Sequence, residues 1–156
     1  MITGIAAVAR NGAIGKGGQM PWHYSADMKF FRETTTGHVV VMGRKTWLAL
    51  GKPLKNRTNV VMSLDRHLKV PEGVVVCQTV AEVLDRFSDN EIFVIGGSQI
   101  YSLFLPKIQQ WLITEVPLIV EAADAFMPQN YLEGFVEVES RKLDDSELVV
   151  KEYRRG

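Results

Sequence analysis

The sequence predicts an α/β domain in three layers, with a mostly parallel sheet between two layers of helices. Apolar runs rich in Val and Ile are continuous rather than alternating, which is typical of strands buried on both faces. Helical or turn segments separate these runs, and the last third of the chain instead shows two alternating stretches. Repeated β–α alternation favours helices on both faces of a parallel sheet, with an antiparallel pair at one edge.

The continuous apolar runs predict five strands in the first two thirds of the chain. They cover residues 2–9, 39–42, 60–62, 74–77 and 92–95. Residues 111–116 predict a further strand, and a loop rich in Ala, Pro and Gly follows it. Two alternating stretches, at 135–141 and 148–153, flank the polar sequence DDSE and predict a C-terminal antiparallel hairpin.

Helical segments lie between the strands. Ser25 is a candidate N-cap for a helix through residue 31, and residues 46–50 predict a short second helix. Thr79 is a candidate cap for a third helix, VAEVLDRF, whose apolar side chains recur with helical spacing. A fourth helix begins at Ser98 and ends near Pro106, because proline interrupts helical hydrogen bonding.

Composition limits the classes of function. The chain has 156 residues, and we expect residues 1–156 to form a single domain. Its 18 basic and 18 acidic side chains cancel, so no overall field favours nucleic acid or anionic membranes as partners. Cys77 is the single cysteine and the three histidines are scattered, so we expect neither a disulfide nor a metal site. No targeting or membrane-spanning segment is recognisable, so we expect a cytoplasmic protein.

Two strand ends carry the features of phosphate sites. VIGGSQIY, residues 94–101, is a buried strand that ends in two glycines and continues into a helix. Glycines allow close approach of a ligand, and the helix N-terminus provides free N–H groups, although a tight turn without a ligand would look the same. VVVMGRKTW, residues 39–47, places Arg44 and Lys45 at a helix start, where cations oppose the helix dipole. Two such sites favour a ligand with several phosphates, such as a dinucleotide.

Asp27 lies in the apolar sequence MPWHYSADMKFF. Its position in a first helical turn is by itself stabilising, because a carboxylate there complements the helix dipole. However, Asp27 shares a helix face with Phe31, and Met28 flanks them. An acid beside an aromatic ring and a thioether suits a pocket for a flat polar heterocycle, with the pKa of the acid raised by desolvation.

The loop GKPLKNR, residues 51–57, contains three cations. Lys52 and Lys55 are typical of a solvated surface loop, since such loops often carry charged side chains. Arg57 is either another surface cation or a bidentate clamp for a carboxylate, and its position in the sequence leaves both interpretations open.

Taken together, these motifs resemble dihydrofolate reductases of the bacterial chromosomal type. They lie in register over essentially the whole chain: GIAAVARNGAIG, MPWHYSADMKFF, VVMGRKTW, GKPLKNRTNVVMS, VIGGSQIY, FLPK and LITEV. The resemblance implies an eight-stranded mixed sheet with four helices, ending in an antiparallel hairpin. It implies NADPH-dependent reduction of 7,8-dihydrofolate to tetrahydrofolate, which supports one-carbon metabolism and thymidylate, purine and glycine synthesis. It also implies a monomer that binds antifolates, with a smaller adenosine-binding lobe at approximately residues 39–88.

On the substrate side, the resemblance makes Asp27 the acid that pairs with the ring N–H and exocyclic amine of the pterin. Asp27 would favour protonation of the ring nitrogen beside the carbon that accepts hydride. Thr114 would bind Asp27 or the pterin, Met20 and Trp22 would close the lid, and Arg57 would clamp the glutamate carboxylate. The implied substrate-binding residues are Ile5, Ala7, Asp27, Met28, Phe31, Arg32, Leu50, Lys52, Leu54, Arg57, Ile95 and Thr114.

On the cofactor side, the resemblance assigns Arg44 to the 2′-phosphate of NADPH and the turn at residues 96–101 to the pyrophosphate. An unusual cis peptide would lie at Gly96–Gly97, and residues 15–20 would form a mobile lid over the nicotinamide. The implied cofactor-binding residues are Ala7, Ile14, Gly15, Gly18, Met20, Gly43, Arg44, Lys45, Thr46, Ser63, Leu64, Arg66, Gln78, Ile95, Gly96, Gly97, Ser98, Gln99, Ile100 and Tyr101.

Some positions depart from the family pattern. Leu64 stands where the family usually has Ser, Thr or Arg, so Arg66 or His67 would have to compensate at the 2′-phosphate. The loop VEAADAFMP is one residue longer than in common bacterial forms, which leaves a contact from Asp124 to the lid open. Two alternatives remain: a pyrimidine reductase of riboflavin synthesis with the same fold, and a non-catalytic nucleotide-binding module. Asp27 and Arg57 argue against the first, and Asp27 and Thr114 against the second.

Overall fold

The computed structural model describes residues 1–156 and contains ten strands, eight of which form one sheet. In chain order the strands are β1 (Ile2–Ala9), β2 (Ala13–Gly15), β3 (Val39–Gly43), β4 (Thr58–Met62), β5 (Val75–Cys77), β6 (Ile92–Val94), β7 (Gln110–Val116), β8 (Ala125–Phe126), β9 (Phe135–Lys142) and β10 (Val149–Arg155). The large sheet has the order β5-β4-β3-β6-β1-β7-β10-β9. All pairs from β5 to β7 are parallel, whereas β10 runs antiparallel to both of its neighbours. The predicted mixed sheet and C-terminal hairpin are therefore confirmed.

Four helices cover the two faces of this sheet. They are α1 (Ser25–Thr35), α2 (Arg44–Leu50), α3 (Val80–Phe87) and α4 (Ser98–Phe104), and a short 3₁₀ helix, Leu105–Lys107, follows α4. The alternation of side chains along β3 divides the core: Val39 and Val41 pack in one cluster with residues of α3 and α4. Val40 and Met42 pack on the other face with residues of α1 and α2. This division gives the predicted three layers and explains why β3 is apolar throughout.

The helix starts agree with the predictions only in part. Thr79 caps α3, because its hydroxyl accepts a hydrogen bond from the Glu82 amide at 3.1 Å. The prediction that Ser25 caps α1 is wrong: Tyr24 is the N-cap, without a side-chain bond, and Ser25 is the first helical residue. Helix α1 also continues to Thr35, and α2 begins at Arg44 rather than at residue 46. None of the helices is both long and apolar enough to span a membrane.

A small second sheet lies outside the large one. Strands β2 and β8 pair antiparallel, with Ala13 opposite Phe126 and Gly15 opposite Ala125. Neither strand was predicted from the sequence, since each is only two or three residues long. This pairing joins the segment after β1 to the loop after β7, and so it anchors the base of the glycine-rich segment at residues 15–20.

Candidate active site

Asp27 carries the only charge among the buried side chains of the protein. It lies in the first turn of α1 and is 9% exposed. Burial raises the pKa of its carboxyl above the ordinary value, because the charged form loses hydration. A hydrogen bond from the Thr114 side chain lowers the same pKa, but by less. A carboxylate has lone pairs for about four donors, so most of its capacity remains for an external N–H group.

Strands β1 and β7 lie beside this carboxylate. Ala7 of β1 is the register partner of Thr114 of β7. The backbone carbonyl of Ile5 accepts a hydrogen bond of 2.7 Å from the buried hydroxyl of Tyr101. Burial is the main cause of the raised pKa of Tyr101, and the charges of Tyr131 and Asp27 add to it. The floor of the site is thus built from inner strands of the sheet.

Trp22 contributes a polar group without a partner. Its ring is 9% exposed, yet its Nε1–H group donates to no atom of the protein. Buried N–H groups are normally hydrogen-bonded to protein, water or ligand. An orphan donor five residues from Asp27 in the sequence therefore fits a site that receives a polar ligand or an ordered water.

A cationic cleft of about 570 Å³ lies at the other end of α1. Its lining contains four cations and no acidic residue: Arg32, Leu50, Lys52, Pro53, Leu54, Lys55, Asn56 and Arg57. A lining that combines leucines and proline with cations suits a ligand with an apolar body and a carboxylate end.

Arg57 is held in a fixed orientation within this cleft. Its Nε donates to the Lys55 carbonyl at 2.9 Å, and its Nη1 donates to the Thr35 hydroxyl at 3.1 Å. The guanidinium carbon lies 5.9 Å from the centroid of the Phe31 ring. Burial, together with the charge of Arg32, lowers the pKa of Arg57 from its usual high value. An arginine that is ordered in this way retains free N–H groups for a carboxylate at little further entropic cost.

The buried side chain of Asn59 fixes the loop that carries these groups. Its Oδ1 accepts from the Leu54 amide at 2.9 Å, and its Nδ2 donates to the carbonyls of Leu54 at 2.9 Å and Arg57 at 3.1 Å. One amide thus satisfies three backbone groups of a loop that has no secondary structure of its own. These three bonds tie the loop to β4, the strand that carries Asn59.

The two glycine turns lie side by side at the carboxyl ends of β3 and β6. The Gly43 amide donates to the Gly96 carbonyl at 2.9 Å, and the peptide Gly96–Gly97 is cis, as the resemblance implied. A Cβ at Gly43 would lie 2.8 Å from Ile100, whereas a Cβ at Gly97 would meet nothing within 4 Å. Neither α2 nor α4 has a side-chain cap at its start. The first amides of both helices therefore lack a side-chain acceptor, and free amides at a helix start suit the phosphates of a dinucleotide.

Cations near these turns differ in how free they are. Arg44 and Lys45 are exposed and take part in no ion pair within the protein. In contrast, Arg66 pairs with Glu82 at 3.2 Å. Leu64 is 86% exposed, and its carbonyl accepts a hydrogen bond of 2.6 Å from the Gln78 side chain. Arg44 is consequently the better placed cation for an additional phosphate at this edge.

The glycine-rich segment at residues 15–20 forms a tight hairpin. Lys16 and Gln19 exchange backbone hydrogen bonds of 2.8 and 3.3 Å. Gly17 and Gly18 adopt φ values of 62° and 82°, which two-residue hairpin turns require and which side chains disfavour. The Gly17 amide donates to Asp124 Oδ2 at 3.0 Å. The contact from Asp124 to this segment, which the longer loop had left open, is therefore present.

Comparisons with known proteins agree with this geometry. The family model described as dihydrofolate reductase matches residues 1–155. The dihydrofolate reductase of Haemophilus influenzae is 40% identical over 144 residues, which cover 90% of this chain and 88% of that protein. That of Mycobacterium tuberculosis is 41% identical over 133 residues, covering 82% of this chain and 80% of that protein. The chain belongs to the dihydrofolate reductase family.

A solved structure of this family has the same fold. It is the dihydrofolate reductase from Enterococcus faecalis complexed with NADP(H) and RAB-propyl. The two chains superimpose with a TM-score of 0.89 at 30% identity, and the match covers 99% of this chain and 96% of that one.

The structure brings together some of the residues that the resemblance to dihydrofolate reductases implied. Five of the implied substrate residues line the cationic cleft: Arg32, Leu50, Lys52, Leu54 and Arg57. Met20 and Met28 are about half exposed, at 51% and 50%, on either side of the buried Trp22 and Asp27. Tyr101 is buried beneath the glycine turn, since a Cβ at Gly96 would lie 3.3 Å from its hydroxyl oxygen.

Sequence reasoning missed the residues that orient the site. Thr35 positions Arg57, Asn59 fixes the loop around it, and Asn11 bonds to Val120 in the loop after β7. A signal for Asn59 was present, because a lone amide in the apolar strand TNVVM has to satisfy its hydrogen bonds. No local signal marked Asn11, whose partner lies 109 residues away in the sequence.

Proposed function

We propose that this chain catalyses the NADPH-dependent reduction of 7,8-dihydrofolate to 5,6,7,8-tetrahydrofolate. The observation that carries the proposal is a buried carboxylate, Asp27, on the same helix as Arg32, which lines the cationic cleft. Phe31 of this helix lies next to the cleft, with its ring centroid 5.9 Å from the guanidinium carbon of Arg57. One helix thereby spans both ends of a folate: a polar heterocycle at Asp27, and a carboxylate tail at Arg57.

Asp27 binds the pterin and raises its affinity for a proton. Its carboxylate accepts hydrogen bonds from a ring N–H and the exocyclic amine, and its negative charge in a poorly hydrated site stabilises a cation on the ring. Reduction of the C=N bond requires a hydride at carbon and a proton at the adjacent nitrogen. NADPH, when bound, supplies the hydride from its nicotinamide. The proton enters from solvent, and Asp27 increases the fraction of substrate that carries it.

The rest of the folate lies along α1 in this proposal. Leu50 and Leu54 contact the benzoyl ring, and Arg57 makes two parallel hydrogen bonds to a glutamate carboxylate. The carbonyl of Lys55 and the hydroxyl of Thr35 hold the guanidinium before the substrate arrives. Binding therefore requires little reordering of Arg57.

NADPH would be held at the carboxyl ends of β3 and β6. The free amides at the starts of α2 and α4 would bind its pyrophosphate, and Arg44 would bind its 2′-phosphate. The lobe at approximately residues 39–88 holds the adenosine. Because Arg66 is engaged with Glu82, we assign the preference for NADPH to Arg44.

Residues 15–20 act as the lid over the nicotinamide. Closure excludes water from the reacting atoms, which protects the hydride and strengthens the field of Asp27. In this proposal, the bond of 3.0 Å from the Gly17 amide to Asp124 holds the lid in its place.

We further propose that the protein is a cytoplasmic monomer that binds antifolates. Charged side chains on the edge strand β9 (Glu137, Glu139, Arg141 and Lys142) disfavour pairing with a second sheet. Light scattering on the purified protein measures the oligomeric state, and a dimer would contradict this part. The protonated form of a diaminopyrimidine ring would pair with Asp27, and calorimetry with methotrexate tests this.

One assay tests the reaction. Oxidation of NADPH is followed by absorbance with dihydrofolate as substrate and, in parallel, with the pyrimidine intermediate of riboflavin synthesis. We expect turnover with dihydrofolate and none with the pyrimidine. Turnover with the pyrimidine alone would establish the alternative reductase, and binding of NADPH without turnover of either would establish a binding module.

A further inference from the structure

We propose that Asn11 is a positioning residue that sets the place of Asp124 against the lid. This inference rests on the lid proposed above and adds a residue to it. Asn11 occupies the turn between β1 and β2, and its side chain is exposed. Its Nδ2 donates to the Val120 carbonyl at 3.0 Å, and its Oδ1 accepts from the Val120 amide at 3.3 Å.

These two hydrogen bonds between the Asn11 side chain and the Val120 backbone take the place of a backbone–backbone pair. On one side of it, the Arg10 amide donates to the Leu118 carbonyl at 2.8 Å. On the other side, the Met127 amide donates to the Gly12 carbonyl at 2.9 Å, next to the pairing of β2 with β8. Asn11 thus fixes both polar groups of one residue in a stretch that no strand pairing covers.

The distance along the chain makes Val120 important. Only Glu121, Ala122 and Ala123 separate Val120 from Asp124, and Ala122 has φ +55°, the left-handed conformation. Because the turn is this short, a displacement of Val120 also displaces Asp124. Asp124 is fixed at the other end by its amide, which donates to the Gly15 carbonyl at 3.3 Å, and its Oδ2 accepts from Gly17.

The chemistry of the pair requires an amide side chain. An aspartate at position 11 has the same shape but no donor, and its carboxylate would face the Val120 carbonyl oxygen. We expect this unfavourable contact to displace Val120 and, through the short turn, the carboxylate of Asp124. The lid amide of Gly17 would then lose its acceptor.

The test compares Asn11→Asp, Asn11→Ala and Asp124→Ala in the full chain. Asn90→Asp is the matched control, because Asn90 is also exposed and its side chain bonds to nothing in the protein. The first readout is the ¹⁵N–¹H resonance of Gly17, which reports directly on the bond to Asp124. We expect both Asn11 variants to move this resonance towards its position in Asp124→Ala, and Asn90→Asp to leave it in place.

The second readout is the single-turnover rate of NADPH oxidation with dihydrofolate. We expect a decrease of about threefold to tenfold in the Asn11 variants, the change that loss of about one net hydrogen bond produces. The double variant Asn11→Ala/Asp124→Ala should be no slower than Asp124→Ala, because both changes break one linkage. The thermal midpoint of unfolding controls for general damage.

Two results would overturn the inference. One is a Gly17 resonance that moves in Asp124→Ala but not in either Asn11 variant. The other is a double variant whose loss of rate is the product of the two single losses. If Asp124→Ala shifts the Gly17 resonance without slowing the reaction, the proposed lid function fails. The resonance in the Asn11 variants then still decides whether Asn11 positions Asp124.

Discussion

Replacement of Asp27 by asparagine separates catalysis from stability at one position. The amide keeps the size of the side chain but loses the negative charge and offers N–H groups where the pterin also has them. Because Asp27 carries the only buried charge, no neighbouring acid can take over its role. We expect the variant to fold and to lose most of its turnover at neutral pH.

The size of the loss follows from the role of the charge. Acid–base assistance by one positioned group is typically worth about 10²–10⁴-fold, which corresponds to about 2.7–5.5 kcal/mol of transition-state stabilisation. The loss should shrink as the pH falls, because solvent then protonates the substrate without help from the enzyme. Glu33→Gln is the matched control, since Glu33 is an exposed acid on the same helix and should be neutral to replace.

The same substitution should make the protein more stable at neutral pH. Below an aspartyl pKa of 3.8, Asp27 is protonated in both the folded and the unfolded state, so burial of its charge costs nothing there. Burial raises the folded-state pKa, so the folded state holds the proton to higher pH and stability falls as the pH rises between the two pKa values. Above both values the full cost of the buried carboxylate is present. Asparagine removes that cost.

Two measurements check this prediction. Stopped-flow turnover at saturating NADPH gives the catalytic loss, and urea unfolding between about pH 4 and about pH 8 gives the free energy of unfolding. We expect the stability gain of Asp27→Asn to grow with pH across this range. A catalytic loss of only a few-fold would refute the catalytic role assigned to Asp27. A variant that is less stable than the parent at neutral pH would refute the predicted cost of burying its carboxylate.

Three further predictions concern the substrate cleft, the cofactor and the loop after β7. Arg57→Leu should raise the KM for dihydrofolate far more than the KM for NADPH. Thr35→Val removes only the hydrogen bond of 3.1 Å from Arg57 Nη1 to the Thr35 hydroxyl, so it should have the same effect more weakly. Equal effects on both KM values would contradict the clamp. Arg44→Gln should lower kcat/KM with NADPH, whereas kcat/KM with NADH should stay nearly constant. If the unsubstituted protein already has nearly equal kcat/KM values with NADPH and NADH, then Leu64 has abolished the 2′-phosphate site. Ala122→Gly should raise the free energy of unfolding, measured in urea, by up to about 1 kcal/mol, because Ala122 has φ +55° and glycine adopts this conformation without strain. Ala123→Gly is the control and should lower the free energy of unfolding. A lower value in both variants would exclude backbone strain at Ala122.

Local sequence was sufficient wherever one side chain decides the structure. Thr79 caps α3 because its hydroxyl reaches an amide three residues away. The apolar runs of β3 and β4 could only be buried strands, and their parallel pairing follows from the helix between them. The family resemblance extended this to the cleft, where Arg32, Leu54 and Arg57 do line one cavity.

Local sequence was not sufficient where the role of a side chain depends on the position of other atoms in the fold. Ser25 has the chemistry of an N-cap, but α1 begins at Ser25 itself, so its hydroxyl cannot cap the helix. Arg66 stays a prediction for the 2′-phosphate, and only the fold shows that Glu82 pairs with it. In both cases the residue type is compatible with the predicted role, and the position of other atoms is not readable from local sequence.

The sequence by itself determined the chain order of the strands of the large sheet and of the helices, the buried acid on α1 and the two glycine turns, because each depends on residues that are close together in the chain. Only the tertiary structure decided which groups orient that site. Thr35 meets Arg57 across 22 residues, and Asn11 meets Val120 across 109. Such hydrogen bonds have no signature in local composition or periodicity. They exist because sheet pairing brings distant loops together with their polar groups facing each other.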